Sequence, residues 1–210
     1  MSTLVKPAVD LKVLARSDWP ILRAARLDAL RDSPHAFMAR YDDEEDLSQA
    51  DWEHMFDDAS WIVAKDAETV IGLARCIAGP QSTQRYIESI WVAKPRRGKG
   101  VFRAILRAVC EVEERLGAAE LLLWVFEDNN DAQEVYKAVG FEPTGDCKPL
   151  PDIDRVEVEY RLRIRPSAMN LTSRTTKIVK RRTAKPCQAP LVQPDEVYDF
   201  SSAANVVHAT

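Results

Sequence analysis

Only seven glycines occur in 210 residues, and two of them stand one residue apart in Arg96-Arg97-Gly98-Lys99-Gly100. The stretch before them, Tyr86 to Val92, has the composition of a strand. The stretch after them, Val101 to Leu116, places Val101, Phe102, Ile105, Leu106, Val109, Val112 and Leu116 at helical spacing. A strand that turns on two glycines straight into an amphipathic helix leaves few ways to continue. The next apolar segment, Leu121-Leu122-Leu123-Trp124-Val125-Phe126, is unbroken, as suits a central strand covered on both faces. Strand, helix and strand then form a parallel crossover, expected to be right-handed.

The remaining elements fit around that unit. Val9 to Leu14 reads as a short strand. Asp18-Trp19-Pro20-Ile21 opens a helix, with Pro20 tolerated in the first turn, that runs through Leu22, Ala25, Leu27 and Leu30. Glu45 to Phe56 is expected to be a second helix. Trp61–Ala64 and Thr69–Ile77 form a hairpin around Asp66-Ala67-Glu68. Ala132 to Val139 is a short helix stopped by Gly140. Val156, Val158, Tyr160, Leu162 and Ile164 alternate with Glu157, Glu159, Arg161 and Arg163, the pattern of a half-exposed strand. The expected fold is α/β: a mixed sheet of about seven strands with helices on both faces. Residues 1–165 form the domain. Residues 166–210, with the basic run Lys177 to Lys185 and few aromatics, are expected to be a disordered tail.

Composition narrows the function classes. Lys and Arg total 29 against 33 Asp and Glu, a net charge of −4, so nucleic acid is not an expected partner despite the basic run. No apolar stretch is long enough to span a membrane, and the N-terminus lacks the layout of a signal peptide. The four cysteines are far apart with no CxxC spacing, which argues against a zinc knuckle. A cytoplasmic location is expected. His35, His54 and His208 are scattered, and no metal site is assigned.

The glycine turn is chemically suggestive. Gly98 and Gly100 let the backbone turn with several N–H groups pointing inward, and the following helix adds unpaired N–H groups and its positive dipole end. Arg96, Arg97, Lys99 and Arg103 supply charge. The sum is a receptor for phosphate or pyrophosphate. It is neither a P-loop, because Val101 follows Gly100, nor a dinucleotide fingerprint, because Arg103 stands at the third glycine's place.

Arg97-Gly98-Lys99-Gly100-Val101-Phe102 resembles the cofactor motif of the GNAT family of N-acetyltransferases, Arg/Gln-x-x-Gly-x-Gly/Ala, departing from it at Phe102. Downstream, Asn129, Ala132, Val135, Tyr136, Gly140 and Phe141 are similar to the family's second motif, Asn-x-x-Ala-x-x-Leu-Tyr-x-x-x-Gly-Phe. The resemblance covers about residues 9–165. It implies direct transfer of an acetyl group from acetyl-CoA to an amine of a small molecule or peptide. The alternative is a non-catalytic acyl-CoA-binding sensor on the same fold. It also implies that the strand before the glycine turn splays from its parallel neighbour. The pantetheine arm would then pair with Ile90, Trp91 and Val92. The segment from Arg97 through Gly98, Lys99, Gly100, Val101 and Phe102 to Arg103 would hold the pyrophosphate, and Asn129 would reach the pantetheine. Tyr136 is the expected proton donor to the departing thiolate.

The general base is less marked. Glu88 lies four residues before Val92, and regular strand alternation would place both on one face; Glu127 is a weaker candidate. The segment Tyr41 to Asp58 holds nine carboxylates in eighteen residues, with His54 the one potential cation. It reads either as a solvated helix start or as a negative rim that attracts cationic acceptors. A homodimer is compatible with this reading.

Overall fold

The computed structural model describes residues 9–164; the basic run at 177–185 and the rest of the expected tail lie outside the described residues. Seven strands form one mixed sheet in the order β1-β2-β3-β4-β5-β7-β6. They are β1 (Asp10–Val13), β2 (Ala59–Asp66), β3 (Thr69–Ala78), β4 (Gln84–Val92), β5 (Glu120–Phe126), β6 (Glu142–Leu150) and β7 (Arg155–Arg163). The helices are α1 (Trp19–Asp32), α2 (Tyr41–Glu44), α3 (Gln49–His54), α4 (Val101–Arg115) and α5 (Asn130–Ala138). As expected, β4 and β5 run parallel, joined by α4. No helix among the described residues is long and apolar enough to cross a membrane.

Alternation along the strands builds two cores. Ile62, Ala64, Ala74, Cys76, Ile87, Leu121, Leu123 and Val125 pack against Val101, Ile105 and Val109 of α4. Trp61, Val63, Leu73 and Trp91 pack on the other face against Leu22, Ala25 and Ala29 of α1 and Trp52 of α3. Helices therefore cover both faces.

Two expectations need correction. The helix read over Glu45 to Phe56 is helical only at Gln49–His54, with the one-turn α2 ending just before it at Glu44; Ser48 starts α3, its hydroxyl accepting from the Asp51 N–H at 3.3 Å and its own N–H donating to the Asp51 carboxylate at 2.9 Å. The sequence reading also had no strand at Glu142–Leu150. Pro143, Gly145 and Pro149 make that stretch look like a loop, yet β6 lies at the sheet edge, where prolines are tolerated. Its pairing with β7 is irregular between Pro143 and Cys147, where Gly145 has φ +95°.

Candidate acetyl-donor and acceptor site

The site begins where β4 and β5 part. Their parallel pairing covers only Gln84–Tyr86 against Glu120–Leu122. Beyond it, β4 stays on β3 as far as Val92, while β5 stays on β7 as far as Phe126. A wedge opens between them, as the family resemblance implies.

A bulge lies inside that wedge. Leu73 pairs with Trp91 but Arg75 pairs with Glu88, so Ser89 and Ile90 together oppose Ala74. Ser89 takes φ +52°, the left-handed region. The Gly79 N–H donates to the Gln84 carbonyl and the Ala93 N–H to the Ile71 carbonyl, both at 3.0 Å. The hydrogen-bonded rungs thus fall on odd-numbered residues of β3. Glu88 and Trp91 commit their backbone groups to β3, whereas Ser89, Ile90 and Val92 turn theirs toward the wedge. Of the three residues expected to meet pantetheine, Ile90 and Val92 are so placed. Trp91 is not: its backbone faces β3, and its buried indole N–H donates to Asp32 at 3.0 Å.

The bulge also reverses the faces. Ile87 and Trp91, four residues apart, enter opposite cores. Glu88 therefore lies on the α1 face beside Arg75, not on the face of Val92, which packs toward α4. One extra residue breaks the period of two on which the expectation rested.

The glycine turn has the expected conformation. Gly98 and Gly100 have φ +70° and +84°, and Gly100 stands at the N-cap of α4 with no side-chain cap. A Cβ on Gly98 would meet nothing within 4 Å, so the space beside the turn is open. Uncapped N–H groups at a helix start facing such a space suit a diphosphate. The arginines are less free than the sequence implied. Arg97 donates to the Val92 carbonyl at 2.9 Å, to Asp32 at 2.9 Å and to Ser33 at 2.7 Å, binding the turn to the end of α1. Against the opposing effect of burial, hydrogen bonds from the Trp91 indole and Ser33 and the charges of Arg97 and Lys94 hold the Asp32 carboxyl below its usual range. Arg96 pairs with Asp66. Lys99 and Arg103 are exposed beside the turn, and Val101 is buried beneath it.

Phe102, the departure from the motif, lies edge-on to Tyr136 with ring centroids 5.7 Å apart, and Phe141 closes the other side at 5.8 Å. Burial pushes the Tyr136 phenol up to about 12, so it stays protonated at neutral pH. Asn129 caps α5: its side-chain oxygen accepts from the Ala132 N–H at 3.2 Å, so that oxygen is partly engaged and its amide donors stay free for a ligand.

The α1 face of the wedge is acidic. Glu88 accepts from Arg75 at 2.9 Å. Tyr86, pushed up to about 12 by burial and by the nearby Glu159, donates to that carboxylate at 3.1 Å. Glu157 stands opposite Phe126 at the open end of β5. Burial raises its carboxyl and Glu88 adds to the rise, while Lys148 and Arg155 oppose it. Glu157 and Glu159 escaped notice in the sequence because alternation assigned them to the solvent side of β7. Glu127 is exposed.

The segment Tyr41 to Asp58 is less uniformly a rim than its composition suggests. Glu44 is buried and paired with Arg26 at 2.7 Å. Asp51 serves the Ser48 cap, and Asp57 meets Arg16 and His54.

A seven-stranded mixed sheet whose parallel strands part beside a glycine turn at a helix start has the fold of a known transferase family. Residues 22–141 match the model of the acetyltransferase (GNAT) family, and the chain belongs to that family. An uncharacterized N-acetyltransferase of Bacillus subtilis (strain 168), YycN, is 28% identical over 86 residues, 40% of this chain and 55% of that protein. The chain thus spans about half the length of the curated relative it matches. Two solved structures share the fold. The GNAT acetyltransferase of Streptococcus pneumoniae has a TM-score of 0.62 and 15% identity, covering 75% of this chain and 99% of that one. The structure of yncA from Salmonella typhimurium with its cofactor acetyl-CoA has a TM-score of 0.58 and 14% identity, covering 77% and 96%.

Proposed function

We infer that the protein transfers the acetyl group of acetyl-CoA directly to the amine of a small molecule or peptide. The observation that carries this reading is the wedge. Ser89, Ile90 and Val92 turn backbone groups into a gap that leads to uncapped N–H groups at α4. The geometry fits a ligand with an extended amide arm and a diphosphate. Acetyl-CoA, when bound, supplies an activated thioester.

The chain's own residues account for the rest. A backbone N–H at the bulge donates to the carbonyl oxygen as negative charge develops there. Glu88 accepts the proton of the attacking amine, directly or through water. Tyr136 gives a proton or a hydrogen bond to the departing sulfur. The carboxylates Glu88, Glu157 and Glu159 on the acceptor side favour a cationic amine.

The test is thiol release from acetyl-CoA with a panel of amines, run beside thermal melting. Stabilisation by acetyl-CoA with amine-dependent thiol release supports the reading. Stabilisation without turnover on any amine would turn it into a sensor on the same fold. The absence of both would refute donor binding.

A further inference from the structure

The positive φ of Ser89 has a nearby cause. α1 buries one face through Leu22, Ala25, Leu27, Ala29 and Leu30, and among these stands a charge, Arg26, only 8% exposed. Its Nε donates to Glu44 Oε2 at 2.9 Å and its Nη2 to Glu44 Oε1 at 2.7 Å, a two-pronged grip on a carboxylate that is itself 8% exposed. Its remaining arm, Nη1, donates to the Ser89 hydroxyl at 3.1 Å. The guanidinium carbon sits 5.3 Å from the centre of the Phe37 ring. Three segments of the acceptor side therefore converge on one residue of the β4 bulge.

A buried ion pair is a poor source of stability, because desolvation offsets much of the attraction. A non-glycine residue in the left-handed region also carries backbone strain and persists only where its surroundings impose it. Here both costs fall at one point. That point decides which backbone groups face the wedge: with Ser89 left-handed, Ile90 follows between the rungs of Glu88 and Trp91. Without the bulge, regular alternation would return one of those N–H groups to β3.

We propose that Arg26, fixed by Glu44, is a positioning residue that holds Ser89 in its left-handed conformation and so aims the bulge N–H at the thioester carbonyl. This rests on the acetyltransferase reading. It adds that α1 and α2, which border the acceptor side, set the geometry of the donor's reacting group. The device sets the group that meets the thioester carbonyl, and the glycine turn at the start of α4 is untouched by it.

The test compares Ser89→Ala with Ser89→Gly in the full chain, each alone and combined with Arg26→Gln. Ser89→Ala loses the hydroxyl and keeps the strain; glycine adopts positive φ freely. Ser89→Ala should lower kcat about 10-fold or more, short of the roughly 10²–10³-fold loss on deleting such a donor. The KM for acetyl-CoA should change less than kcat, and Ser89→Gly should recover most of the rate. The loss from Arg26→Gln should shrink in the Ser89→Gly background, because the two residues act through one conformation. Equal kcat in Ser89→Ala and the unmodified protein, or strictly additive losses for Arg26 and Ser89, overturns the proposal.

A second readout needs no turnover. The Ile90 amide proton resonance should move on adding acetyl-CoA more than on adding CoA, and Ser89→Ala should abolish that difference. A retained difference in Ser89→Ala overturns the clamp whatever the enzyme does. An intact difference in the unmodified protein, lost in Ser89→Ala, with no amine accepted, keeps the clamp and removes the transferase reading.

Discussion

Tyr136 is held between two phenylalanine rings with its phenol pushed up to about 12, so its proton is available across the whole range in which an amine acceptor deprotonates. Tyr136→Phe keeps the packing and removes the donor. It should lower kcat ~10²-fold with little change in acetyl-CoA affinity; unchanged turnover would return Tyr136 to a packing role. Glu88→Gln should lower kcat ~10²-fold or more. If turnover survives, the proton acceptor is Glu157, whose carboxyl is raised by burial and becomes a base only above its ordinary range. The same shift has a stability sign. A carboxyl raised in the folded state contributes stability that is present below its unfolded pKa and is lost as pH rises through the folded value. Glu157→Gln should therefore raise Tm at pH 7 relative to the unmodified protein and lose that advantage near pH 4, as melting curves at both pH values would show.

Among the elements, the glycine turn offers a controlled experiment. Gly98 and Gly117 both have positive φ, +70° and +89°, and a Cβ on either would meet nothing within 4 Å. Valine at either position carries a similar backbone penalty, on the order of 1–3 kcal/mol. Of the two, Gly98 lies in the turn before α4. Gly98→Val should abolish most of the Tm rise on adding acetyl-CoA, whereas Gly117→Val should lower the starting Tm and keep the rise. Equal rises in both variants would remove the turn from donor binding. The turn, α4 and β5 were legible in the sequence because glycine spacing and apolar period are local signals. What stayed hidden was set by tertiary context. The β4 bulge moved Glu88 to the α1 face and spent the Trp91 backbone on β3. The edge position admitted the prolines of β6. Arg97 and Asn129 match motif positions, but their side chains serve the end of α1 and the cap of α5. Residue type was readable at these sites; the partner was not.

At the scale of the whole molecule the question is electrostatic. The chain carries −4 overall, and nine of its 33 acidic residues fall between Tyr41 and Asp58. That segment divides into two kinds of carboxylate. Glu44 is structural: Glu44→Gln weakens a buried pair and should lower stability by up to about 3–5 kcal/mol. Asp42, Asp43 and Asp46 are exposed and Glu45 is half-buried. These four would steer a cationic acceptor without holding the fold. Steering acts over the screening length, about 30 Å at 0.01 M salt and about 8 Å at physiological strength. For a polycationic amine, kcat/KM should fall steeply as salt rises between those limits. Replacing Asp42, Asp43, Glu45 and Asp46 together by Asn or Gln, with Glu44 kept, should flatten that slope while the acetyl-CoA Tm rise and the kcat at saturating acceptor stay unchanged. Rates measured against salt for both proteins decide the matter. If the slope persists in the quadruple variant, the attraction comes from Glu88, Glu157 and Glu159 at the wedge. If the best acceptor proves neutral or anionic, the segment is a solvated surface and the cationic preference falls with it.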